Sequence, residues 1–187
     1  MKKALILTYE KFQDHEVIYP YYALQEHGFD VTVVTNKPKG DRCFGILGAH
    51  VTSNMNYEEL GKLPFQLGEE PLSHISQLYD LLVIPGGVKA LEKQRLEGSA
   101  VNFVKAWNSQ NLPIMSICNG AQLLITADVI RGKEVLGYYA IQPDIENAGA
   151  TYPNTNVVCS ENICSTPHYD FMGEWVNTGL KYFNLYD

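Results

Sequence analysis

The sequence predicts an α/β fold, a three-layer sandwich whose mostly parallel sheet is flanked by helices on both faces. Three observations predict it. Short, largely apolar runs recur at Ala4–Thr8, Val31–Thr35, Leu81–Ile84 and Ile114–Ile117, with the apolar continuity expected of strands buried on both faces. Stretches with helical spacing lie between them, and alternation of this kind implies parallel strands joined by crossover helices. The 187 residues suffice for one core and not for two, so residues 1–187 are read as a single domain.

In chain order, Ala4–Thr8 is the first buried strand, followed by a polar turn and a helix from about Glu16 to Gly28. Pro20 places that helix start near Glu16 to Tyr19, because proline is best tolerated in a first turn whose amides lack partners anyway. Val31–Thr35 and Leu81–Ile84 are further strands, the latter running into Pro85-Gly86-Gly87, and a helix spans roughly Gly98 to Gln110. Ile114–Ile117 then leads through Cys118 into Gly120, which permits a tight reversal, and Ala121, Leu123 and Leu124 resume at helical spacing. After a polar Arg131-Gly132-Lys133 comes a short helix from Ile141 to Ala148. Strand-like Val157–Cys159 and Ile163–Ser165 follow, placing Cys159 and Cys164 on the two arms of a hairpin around Glu161-Asn162. A last amphipathic helix carries Phe171, Trp175, Leu180 and Phe183.

Composition narrows the function classes. Hydrophobic residues at 45% and charged residues at 19% describe a packed globular chain. A formal charge of -7 without a basic run argues against a nucleic-acid partner. No stretch approaches membrane-spanning length, and Lys2-Lys3 precedes too short an apolar run for a secretory leader, so a cytoplasmic location is expected. The four cysteines lack paired metal-ligand spacing; they fit a reducing compartment, and neither a metal site nor a cofactor is expected.

Cys118 is the candidate nucleophile. A strand-to-helix turn lifts a side chain above the carboxyl edge of the sheet, and the amides opening the helix favour a thiolate there. Its bland reading is a buried, inert cysteine that packs as a small hydrophobe. Ligands in such sheets bind at the carboxyl ends of the strands, and two further pieces fall on that edge. Glu16 follows strand one; facing a thiolate it would carry a raised pKa and donate a hydrogen bond to sulfur, whereas its bland role is a helix-dipole carboxylate. Gly86 and Gly87 follow another strand, where they either form a simple turn or leave amides free to approach an oxyanion. Arg131-Gly132-Lys133 is read as a surface turn.

Taken together, Asp14-His-Glu-Val-Ile-Tyr-Pro20, Val83-Ile-Pro-Gly-Gly87, Ser116-Ile-Cys-Asn-Gly-Ala-Gln-Leu-Leu124, Ile130-Arg-Gly-Lys133 and Asp144-Ile-Glu-Asn-Ala-Gly149 resemble the ThiJ/PfpI (DJ-one) family, within the class I glutamine-amidotransferase-like, flavodoxin-like folds. The resemblance spans nearly the whole chain. It implies Cys118 as the reactive thiol, Glu16 as its acid partner, Gly87 as part of an amide pocket and Tyr138 as a pocket-lining hydroxyl. Members of this family include cysteine-dependent peptidases or amidases, glyoxalases and deglycases acting on methylglyoxal adducts, isonitrile hydratases, redox sensors and holding chaperones. They typically form dimers or larger assemblies, so a small-molecule substrate and a homo-oligomer are expected.

Two departures stand out. The peptidase-like branch carries histidine directly after the cysteine, whereas Asn119 here cannot exchange a proton near neutral pH. His15, beside Glu16, and His168, after the closing strands, are the candidate replacements, each with a bland reading as a solvated or hydrogen-bonding histidine. The span from Tyr57 to Tyr79 is longer than compact members need and is read as a lid or a subunit contact. Three functions follow. In the first, Cys118 attacks a small carbonyl or amide compound, the amides of Gly87 and Asn119 hold the oxyanion, Glu16 manages the proton and His168 or water assists. In the second, Cys118 oxidation serves a redox sensor or chaperone. The third is a glutamine amidotransferase using His168-Tyr-Asp170, weakened because His168 lies only fifty positions after Cys118.

Overall fold

The computed structural model describes residues 1–63 and 75–186. Nine strands are present among them: β1 (Lys2–Leu7), β2 (Phe29–Thr35), β3 (Arg42–Phe44), β4 (His50–Thr52), β5 (Met55–Asn56), β6 (Leu81–Ile84), β7 (Ile114–Ile117), β8 (Val158–Ser160) and β9 (Ile163–Thr166). Seven form one sheet in the order β5-β2-β1-β6-β7-β9-β8, and every neighbouring pair is parallel except β8 with β9. β6 and β7 are buried at every position, and β1 from Ala4 onward, as their apolar runs require. β3 and β4 make a separate antiparallel hairpin.

Helices α1 (Asp14–Glu26) and α8 (Met172–Tyr182) pack on each other and on the sheet, with Trp175 and Leu180 of α8 fully buried. A second layer holds α2 (Tyr57–Leu60), α4 (Val88–Gln94), α5 (Gly98–Ser109), α6 (Ala121–Thr126) and α7 (Gln142–Asn147), anchored by Phe103 and Trp107 of α5. The flavodoxin-like, mostly parallel sheet between helical layers is the architecture the sequence predicts. A further short helix, α3 (Ile75–Leu78), precedes β6. Of the 57–79 excursion, Tyr57 hydrogen-bonds the Thr8 carbonyl through its hydroxyl at 2.6 Å, and α2 is closed by a capping box of Asn56 and Glu59. Residues 64–74, on which a lid or subunit contact would rest, lie outside the described residues.

Three local expectations are corrected. The first helix begins at Asp14, so Pro20 is its seventh residue and not part of its first turn. Tertiary contacts outweigh the missing amide: Asp14 accepts the backbone amides of Leu47 (2.8 Å) and Ala49 (2.7 Å), pinning the helix start to the β3–β4 connection. Cys159 and Cys164 do lie on opposite hairpin arms, in direct register, and are joined there as a disulfide that the sequence reading did not draw. Arg131-Gly132-Lys133 is only partly a surface turn. Gly132 has a φ of +79° and Arg131 is exposed, whereas Lys133 is buried, with its ammonium on Asn162 Oδ1 (2.7 Å) and Asn108 Oδ1 (3.0 Å).

Burial pushes the Lys133 pKa down, and Glu161 at 3.5 Å offsets part of that. Lys133→Met is expected to cost about 1–3 kcal/mol, because Asn162 Oδ1 loses its donor inside the protein and Asn108 Oδ1 keeps only the Asn162 Nδ2 donor. Differential scanning calorimetry should show Tm falling by roughly 2–4 °C for each kcal/mol, and an unchanged Tm would mean water replaces the ammonium without loss.

Candidate active site

Cys118 occupies the turn between β7 and α6. Ile117 is still extended, and Cys118 then takes a φ of +57°, a left-handed conformation uncommon for any residue with a Cβ. The turn is tight enough that a Cβ on Gly120 would run into the Ile84 carbonyl oxygen, which is why that position must be glycine. Tyr138 clamps the turn from the other side, its amide donating to the Cys118 carbonyl at 3.0 Å.

The groups around the sulfur come from the carboxyl ends of three strands, β1, β6 and β7. The backbone amides of Asn119 and Gly87 both donate to Cys118 Sγ, and Asn119 Oδ1 lies 3.5 Å from it. Gly87 has a φ of +106°, which aims its amide into the site, and a Cβ on Gly86 would collide with the Glu16 carboxyl and come within 2.8 Å of Cys118 Cβ. Glu16 is fully buried in α1; its Oε2 accepts the Gly86 amide at 2.8 Å, and Oε1 has no other hydrogen-bond partner and is left to Cys118.

The electrostatics follow from burial. Glu16 is pushed up to about 8, chiefly by burial, with the Cys118 and Gly86 hydrogen bonds pulling the other way. It therefore carries a proton at neutral pH. The Cys118 thiol is also pushed up, first by burial and then by the charge of Glu16 and its hydrogen bond, against the downward pull of the two amides. This corrects the expectation that the turn by itself depresses the thiol pKa. A protonated Glu16 removes the repulsion and offers a donor, so proton sharing within the pair governs how much thiolate exists.

A cavity of about 500 Å³ opens over the sulfur, and Cys118, Glu16, Asn119, Gly87, Tyr138 and His168 all line it. The ring of His168 lies against Tyr169 with centroids 3.9 Å apart. Its Nδ1 is 3.1 Å from Asp170 Oδ2 and 3.3 Å from the Asp170 amide, which donates to it. Nδ1 accepts from the Asp170 amide in one neutral tautomer and donates to the Asp170 carboxylate in the other. His15 is placed elsewhere: it stacks on Tyr169 at 4.8 Å and lines a neighbouring groove with Tyr19 and Leu47.

A glutamate and an amide pair converging on a strained cysteine turn are what the family resemblance implies, and residues 2–181 match the DJ-1/PfpI family. The chain belongs to the DJ-1/PfpI family. It is 36% identical to a deglycase of Pyrococcus abyssi over 182 residues, covering 96% of this chain and 98% of that one. It is 31% identical to Deglycase PfpI of Pyrococcus furiosus, with 96% and 98% covered, and 34% identical to General stress protein 18 of Bacillus subtilis, with 88% and 87% covered. Among solved structures, DJ-1 of Schizosaccharomyces pombe superposes with a TM-score of 0.79 at 18% identity, covering 97% of this chain and 90% of that one. A two-domain protein of Anabaena variabilis with DJ-1/ThiJ/PfpI-like and ferritin-like domains superposes at 0.83 with 28% identity, covering 98% of this chain and 48% of that one.

Within this DJ-1/PfpI site the structure adds lining residues absent from the sequence reading. Lys11 and Gln13 join from the β1–α1 connection, and Gln122 from the first turn of α6. The signal was present: all three lie within five residues of Glu16 or Cys118, on the carboxyl edge where such sheets bind ligands. Among the described residues, no group of three or more His, Cys, Asp or Glu side chains is placed to hold a metal.

Proposed function

We propose that this protein is a deglycase-like enzyme that uses Cys118 to convert small 2-oxoaldehydes, or their adducts, to 2-hydroxy acids. The observation that supports it best is the convergence of the Asn119 and Gly87 amides and a protonated, buried Glu16 on one sulfur. The names of the Pyrococcus relatives agree with the reading. Cys118 reacts as the thiolate, its proton having gone to solvent: Sγ adds to the aldehyde carbon, the S–C bond forms, the π pair moves to oxygen, and the amides hold the oxyanion while Glu16 gives it a proton. Glu16 is then a carboxylate that takes the proton from the aldehyde carbon and returns it to the neighbouring carbon, while the hydroxyl proton passes to the neighbouring oxygen, turning the hemithioacetal into a thioester. Water, deprotonated by Glu16, displaces the sulfur. The sum is one water added to one oxoaldehyde, with no external oxidant, and a carboxyl with a pKa of about 8 can both give and take the proton.

His168 contributes its ring to the cavity lining. A buried, protonated Glu16 beside the sulfur has no task in the amidotransferase reading, which weakens it. Assembly into a homodimer or larger oligomer belongs to the same proposal, supported by the exposed Phe44, Ile46 and Leu47 beside the cavity.

The test is the conversion of the methylglyoxal hemithioacetal of N-acetylcysteine to lactate, followed by enzymatic lactate assay. Lactate formed no faster than in buffer would overturn the reading. Asn119→His restores a titrating ring beside the sulfur, and turnover of small fluorogenic amides is expected to rise about tenfold or more from background. Wild-type amide cleavage as fast as that of the variant would show that another base already serves the site.

A further inference from the structure

Lys11 stands out on the cavity rim for its backbone as much as for its charge. It takes a φ of +67°, a conformation glycine would adopt without strain, yet the position carries a long cationic side chain. Its amide is tied to the Phe44 carbonyl at 2.7 Å, Phe12 accepts the Ile46 amide at 3.0 Å, and the Gln13 amide bonds the Gly86 carbonyl at 3.3 Å. The segment is thus fastened on both sides, with the Lys11 side chain in the cavity lining. The ammonium has no carboxylate partner among the described residues. Glu10, its neighbour in sequence, is engaged by Lys37 at 3.5 Å and by the Phe44 amide at 3.0 Å. The other lysine of the lining, Lys89, is paired with Glu92 at 3.5 Å.

Glu16 is the acidic member of this lining and is neutral at pH 7, so the rim carries a free positive charge on a protein whose net charge is -7. We propose that Lys11 is a specificity-determining residue and that the substrate carries a carboxylate beyond its reactive carbonyl, an inference that rests on the proposed carbonyl chemistry at Cys118. A single ammonium is a compact point charge that matches a monoanion, whereas a phosphate dianion calls for more donors than this rim supplies.

The experiment compares two aldehydes that differ by one carboxylate, 4-oxobutanoate and butanal, as reversible hemithioacetal formers that protect Cys118 from iodoacetamide. Protection is read by peptide mass and needs no turnover. In the wild type, 4-oxobutanoate is expected to protect at roughly three- to tenfold lower concentration than butanal, the size of an incompletely screened ion pair. Lys11→Met should bring that ratio towards one, and Lys11→Glu should invert it. Protection by both aldehydes with a ratio that neither variant moves would overturn the role of Lys11 alone. Failure of both aldehydes to protect Cys118 in the wild type would instead overturn the carbonyl reading on which the inference rests.

Discussion

Cys118→Ser is expected to lower lactate formation from methylglyoxal adducts by at least about 10³-fold and to abolish modification of the site by iodoacetamide. The oxygen is smaller than sulfur and has a far higher pKa, so neither the amides of Asn119 and Gly87 nor a protonated Glu16 generates an alkoxide there near neutral pH. The fold should survive, because Cys118 is 8% exposed, makes no covalent link and is free of the Cys159–Cys164 disulfide. Cys43 supplies the internal control. It is fully buried and leaves no exposed surface for the reagent to reach, so it should stay unlabelled in both proteins. Equal labelling of Cys43 and Cys118 in the wild type would remove the case for a special thiol, and unchanged lactate formation in the serine variant would sink the mechanism.

Replacing Glu16 by glutamine should change the pH profile of Cys118 alkylation in kind. In the wild type two coupled groups titrate, so the rate should rise in two steps, the first near pH 8, where the pair loses one proton and shares its charge between carboxylate and thiolate. Glutamine cannot ionise, and a single step should remain. A two-step profile persisting in Glu16→Gln would show that the first step belongs to another group. The same substitution has a stability consequence of definite sign. Folding raises the Glu16 pKa from 4.5 to about 8, so its contribution is fully present below pH 4.5 and is lost as pH rises through 8. Relative to the wild type, the glutamine variant should therefore gain on the order of a few kcal/mol between pH 5 and pH 8, measured by urea denaturation.

Much of the architecture could be read from local pattern. Leu81–Ile84 and Ile114–Ile117 are strands with the predicted bounds, because a short run of apolar residues between Gly, Pro or polar turns has few other ways to bury itself. The helix over Gly98–Ser109 and the Cys118 turn follow for the same reason, since amphipathic spacing and a glycine after a strand are local properties. Pro20 misled because a rule about first turns considers only the helix, whereas the start is set by Asp14 holding the β3–β4 connection more than thirty residues away. Lys133 misled likewise. A Gly-Lys pair reads as a surface turn unless two asparagines from distant elements are known to surround the ammonium.

What the sequence determined by itself is that Cys118, Glu16 and the Gly86-Gly87 turn meet on one sheet edge, because each depends on residue type and on position within a single element. What only the tertiary structure decided is how these groups behave. The direction of the Cys118 and Glu16 pKa shifts comes from burial by surrounding elements, the engagement of His168 Nδ1 from Asp170, the placement of His15 outside the cavity from its stacking on Tyr169, and the free charge of Lys11 from the engagement of Glu10 elsewhere. Desolvation and Coulomb interactions depend on distances through space, and separations along the chain do not encode those distances.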